Sequence, residues 1–82
     1  MKKIELDARE LEYPIPLQLA LKHLQSMGRD EYLYMIHRRE PVPLIEIAKA
    51  KGYAYLSHSC DEVWHILICK DENCNLEELL DV

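Results

Sequence analysis

Glycine occurs twice in this chain and phenylalanine not at all, and the three cysteines are too few and too irregularly spaced for a disulfide framework. Cys60, Cys69 and Cys74 cannot all pair within one chain, so reduced thiols are expected. Two glycines leave no room for a glycine-rich phosphate loop. No Gly-x-Ser-x-Gly element is present either, and no nucleophile, base and acid stand in a recognisable pattern, so an independent enzyme is not expected. Long apolar runs are missing as well. The longest, Val63 to Cys69, is broken by His65 and falls far short of the roughly 20 residues that cross a bilayer. Met1-Lys2-Lys3 leads into alternating apolar and acidic residues rather than an apolar stretch, so neither a secretory signal nor a membrane association is expected. A cytoplasmic location follows as the expectation.

Positive charge is in deficit, with a formal net charge of −5, which is the wrong sign for a general nucleic-acid binder. What is present is an ordinary globular balance of 49% hydrophobic and 30% charged residues. A chain of 82 residues has surface enough to bury one modest core, so residues 1–82 are expected to form a single domain.

Along the chain, Ile4, Leu6 and Ala8 alternate with Lys3, Glu5 and Asp7, the period of a half-buried strand. Pro14 and Pro16 then suit the first turn of a helix. Leu17, Ala20, Leu21, Leu24 and Met27 recur at helical spacing up to a stop at Gly28. Glu31 to His37 is apolar nearly throughout and predicts an interior strand. The pattern then repeats: Pro41-Val42-Pro43-Leu44 echoes Pro14-Ile15-Pro16-Leu17 and opens a second, shorter helix that stops at Gly52. Tyr53–Ser57 and Val63–Lys70 predict a closing hairpin around a turn at Ser59-Cys60-Asp61-Glu62, with Trp64, Ile66 and Ile68 toward the helices. A short C-terminal helix, 75–81, is expected with Asn75 as its N-cap. The order βαβαββ predicts an α/β two-layer sandwich, a four-stranded mixed sheet with two helices on one face.

Leu6-Asp7, a short linker and Tyr13-Pro14-Ile15-Pro16-Leu17 resemble the opening of the TusA-like (SirA-like) superfamily, where Leu-Asp precedes Cys-Pro-x-Pro at the first helix. In that family the cysteine carries a persulfide. Here Tyr13 holds its place, and a phenol cannot carry sulfane sulfur. With Arg9-Glu10 and His37-Arg38-Arg39-Glu40-Pro41-Val42-Pro43-Leu44, the chain resembles more closely an uncharacterised bacterial branch that lacks the cysteine. The resemblance implies the fold, and it implies sulfur relay only if another thiol has taken over. Cys60, in the expected turn, is the candidate reactive thiol.

Two strand–helix units in tandem bring both helix N-termini to one edge of the sheet, beside Arg9, His37, Arg38 and Arg39. Free N–H groups and guanidinium forks there would suit a small anion. The leading expectation is therefore a non-catalytic module that binds a small anionic ligand or a partner protein at Arg9, Tyr13, Pro14, His37, Arg38, Arg39 and Pro41. The alternatives are an Arg39 that merely pairs with Glu40 or Glu12, a Tyr13 that packs as a staple on the first turn, and a sulfurtransferase using Cys60. No cofactor is expected, and His58, Cys60 and Cys74 fit no standard zinc spacing. Aromatics on the open sheet face, Tyr32 or Tyr34 and Tyr53 or Tyr55, with His65, would need a cover, for which a homodimer or a partner protein is the expected source.

Overall fold

A computed structural model describes residues 1–82. Six segments follow the expected order: β1 (Lys2–Asp7), α1 (Ile15–Ser26), β2 (Glu31–His37), α2 (Val42–Ala50), β3 (Ala54–Cys60) and β4 (Val63–Cys69). A 3-10 turn, Leu76–Leu79, comes last. The strands form one sheet in the order β1-β2-β4-β3, with β1 and β2 parallel and β4 antiparallel to both of its neighbours. β4 enters between β2 and β3 because its run Ile66 to Cys69 is buried throughout, as a strand covered on both faces must be. The arrangement is the two-layer α/β sandwich that the element order predicts, since right-handed crossovers put both helices on one face.

Register assigns the faces. Ile4 and Leu6 of β1, Leu33 and Met35 of β2, and Ile66 and Ile68 of β4 point toward the helices, where they meet Ala20 and Leu24 of α1 and Leu44 and Ala48 of α2. Trp64 packs against this core too. On the opposite face lie Tyr32, Tyr34, Leu67 and Cys69, all buried. Both tyrosines of β2 therefore face away from the helices, while Tyr53 packs against the helix-side core. What covers the two tyrosines is the chain itself, through Leu76, Leu79 and Leu80.

Three boundaries differ from the sequence reading. α1 ends before Gly28, with an extended Met27 as its last cap and Lys70 Nζ donating to the Met27 carbonyl at 2.6 Å. The hairpin turn is only Asp61-Glu62, both at positive φ (50° and 66°), so Cys60 belongs to β3, opposite Val63. The last element is a 3-10 turn without a side-chain cap from Asn75, rather than a helix over 75–81. The stop at Gly52 is as expected: its φ of 73° suits glycine, and its N–H closes the helix on the Lys49 carbonyl. No helix is long and apolar enough to cross a membrane.

Candidate functional site

β1 and β2 are parallel, so both run out at the same edge, and the chain turns there directly into the two helices. Each helix starts on the same local design. Pro14 and Pro41 are the N-cap positions, a second proline follows two residues later, and neither cap is closed by a side chain or flanked by an acidic first turn. The hydrogen bonds repeat as well. Ile15 N–H turns back to the Glu12 carbonyl and Gln18 N–H to Pro14; Val42 N–H turns back to Glu40 and Ile45 N–H to Pro41. Pro16 and Pro43 have no N–H to give. That leaves Leu17 and Leu44, whose amides donate to no backbone carbonyl. Two helix N-termini, each with the positive end of its dipole uncompensated, thus share one edge.

Between them is a cleft of about 700 Å³. Of the residues singled out from the sequence, Arg9, Tyr13, His37, Arg38, Arg39 and Pro41 line it, and Pro14 does not. The other wall holds Leu17 and Leu44 from the helix starts, which sequence reasoning placed only on the helices, and Glu10, Glu12 and Glu40, of which Glu12 and Glu40 entered it only as pairing partners of Arg39; the three carboxylates make the formal charge of the lining balanced. The repeated Pro-x-Pro-Leu carried the signal for the two leucines.

The charges divide unequally. Arg9 is committed to Asp7 through a two-pronged contact, Nε to Oδ1 at 2.9 Å and Nη2 to Oδ2 at 2.8 Å, and this holds the Asp7 carboxyl down to about 2. Arg38 reaches Glu10 at 3.4 Å, an exposed contact of little energy. Glu40 accepts from the Ser57 hydroxyl at 2.8 Å. Arg39 pairs with neither Glu40 nor Glu12, contrary to the simple surface-pairing alternative; its guanidinium has no carboxylate within ion-pair distance. Its backbone is fixed by His37, whose Nδ1 accepts the N–H of Arg38 at 2.8 Å and that of Arg39 at 3.4 Å. With that nitrogen occupied as an acceptor, His37 is neutral, its proton on Nε2. Burial first, and then the Arg39 charge, lower its pKa below the ordinary value.

Tyr13 is 77% exposed, so it lines the cleft rather than stapling the first turn; its peptide bond to Pro14 is cis. The cysteines stand apart from the cleft. Cys60 is at the same edge of the sheet but on the far face, with its thiol toward Asp61 at 3.9 Å. Cys69 is buried, and burial together with the adjacent Cys69 raises Cys74 to about 11, a poor thiolate.

A second cavity of about 640 Å³ lies between α1 and the end of α2, with Lys22, Lys51 and Lys70 around Leu21 and Tyr53. Lys70 is engaged in capping α1, and lysines beside helix C-termini answer the dipole there. Among known proteins, one family model matches, over residues 5–70, with the description "Uncharacterized conserved protein (DUF2249)". No curated protein and no solved structure matches the chain.

Proposed function

The chain belongs to the DUF2249 family, whose description assigns no activity, and from the geometry of the cleft we propose that it is a non-catalytic module that binds a small anionic ligand. One observation carries this reading: two uncapped helix starts meet at one cleft, where the amide of the partly exposed Leu17 has no acceptor, beside the unpaired guanidinium of Arg39. An anion there would take an N–H donor from the start of α1 and a guanidinium fork, in the favourable field of both helix dipoles. The element order is compatible with the TusA-like fold. Tyr13 at the cysteine's place, with every thiol outside the cleft, favours binding over sulfur transfer. The expected place of work is the cytoplasm.

The test is a titration of the ¹⁵N-labelled chain with phosphate, sulfate, thiosulfate and acetate. Saturable shifts of the Leu17 and Leu44 amides are expected for at least one of these anions. Arg39→Gln should weaken binding about tenfold or more, the worth of a charge-assisted hydrogen bond. Amides that stay in place across the series would remove the anion reading.

A further inference from the structure

Beyond β4 the chain doubles back as a strap, residues 71–82, across the sheet face that the helices leave bare. Its apolar contacts are Leu76, which is 5% exposed, and the half-buried Leu79 and Leu80. Beneath them sit Tyr32, Tyr34 and Leu67. The far end is polar. Asp81 N–H donates to the Tyr34 hydroxyl at 3.0 Å, the Asp81 carboxylate takes the Lys3 ammonium, and that ammonium also lies 4.6 Å from the centre of the Tyr34 ring.

What the strap lacks is a place in the sheet ladder. Its own backbone bonds are local, Cys74 N–H to Asp71 and Leu80 N–H to Glu77, and none joins a strand. Side chains and one tyrosine hydroxyl hold it, so it can leave without breaking any strand pairing. The family match covers residues 5–70 and ends immediately after β4, short of the strap. With the strap lifted, two tyrosines and a leucine would face water, an apolar patch of the kind that marks an interaction site.

We propose that this face is a peptide-docking groove and that the strap is its built-in competitor. The occupant in trans is a short acidic, leucine-rich segment of a partner protein that copies the spacing of Leu76, Leu79, Leu80 and Asp81. The strap itself shows what the groove accepts: leucines over Tyr32, Tyr34 and Leu67, then a carboxylate at Lys3. Lys3 gives the selection for acid at this face. A partner meets only the fraction of molecules whose strap is open, so any change that weakens the strap tightens binding in trans by the same factor.

The probe is a synthetic peptide of residues 71–82 carrying Cys74→Ser, added to the full-length ¹⁵N-labelled chain. Binding should leave the amides of Tyr32, Tyr34 and Leu67 close to their places, because the occupant is the same, and move those of Leu80 and Asp81 of the chain to unstructured positions. Leu79→Asp in the chain should raise the apparent affinity for the peptide about tenfold or more. Asp81→Lys, at an exposed position that cannot disturb the core, should raise it less, and a peptide carrying Leu76→Asp should not bind. If Leu79→Asp fails to fold, the wild-type chain in excess peptide and the Asp81→Lys chain read the same displacement. Strap amides that stay at their folded positions in both, or equal binding of the Leu76→Asp peptide, would overturn the proposal. So would a concentration-dependent dimer, formed without peptide, in which straps are exchanged between copies, since the groove would then belong to the chain itself.

Discussion

Tyr34 joins the strap to the sheet through its hydroxyl. Its hydroxyl accepts the Asp81 N–H and lies 2.9 Å from His65 Nδ1. Tyr34→Phe keeps the ring and leaves these part-buried groups unpaired, so a loss of about 1–3 kcal/mol is expected from urea unfolding. The histidines add a pH dependence whose sign can be worked out. His65 faces Tyr34, His58 and Asp81, and its pKa is lowered, by burial first and then by His58. His37 is lowered by burial and Arg39. The unfolded chain therefore takes up protons first as pH falls. Their contribution to stability is full above the ordinary histidine value of 6.5 and is lost progressively below it. Asp7, at about 2, stays ionised across this window and cannot account for the loss. Urea midpoints at pH 7.5, 6.5 and 5.5 should fall in that order, and His37→Gln with His65→Gln should flatten the trend.

At the scale of elements, the tightest local departure from preference is the two-residue turn Asp61-Glu62. Both residues lie in the left-handed region, where a side chain costs about 1–2 kcal/mol and glycine costs nothing. Glu62→Gly should raise stability by about 0.5–1 kcal/mol, read as a higher thermal midpoint. The same turn shows why one boundary was not legible. Asp-Glu lacks the Asn-Gly signature of a two-residue hairpin, so the polar run from Ser59 to Glu62 read as one longer turn, although Cys60 is still paired with Val63. Where periodicity was strong the reading held: β2 begins and ends where its apolar run does, and the repeated Pro-x-Pro-Leu marked both helix starts. The cleft was legible through that repeat and the arginines at the strand ends. The choice of partners was not, since Arg9 bonds Asp7 and Arg38 reaches Glu10 across 28 positions of sequence. Nor does any local pattern in Leu76–Leu79 say which surface it will cover.

For the molecule as a whole, the consequence of burying one sheet on both faces is that two clusters of unequal strength share the same strands. The helix side is fixed by two elements covalently joined to the sheet at both ends, around Leu33, Met35, Leu44, Ile66 and Ile68, none of them measurably exposed. The strap side has a single 3-10 turn that no strand pairing anchors. A domain of 82 residues has a stability of only about 4–12 kcal/mol in all. Leu33→Ala, in the helix-side cluster, should cost about 2–5 kcal/mol of it. Leu67→Ala should cost less, although Leu67 is equally buried, because the strap can settle into the space or open to water where α1 and α2 cannot. Hydrogen exchange reads the same asymmetry without mutation. The amides of β2 and β4, in the middle of the sheet, should exchange only through global unfolding, whereas the strap amides should exchange through a local opening of much lower free energy. Equal protection of strap and central strands would mean that the second cluster is as firmly built as the first, with the strap an integral part of the fold that no competing peptide could displace without unfolding the domain.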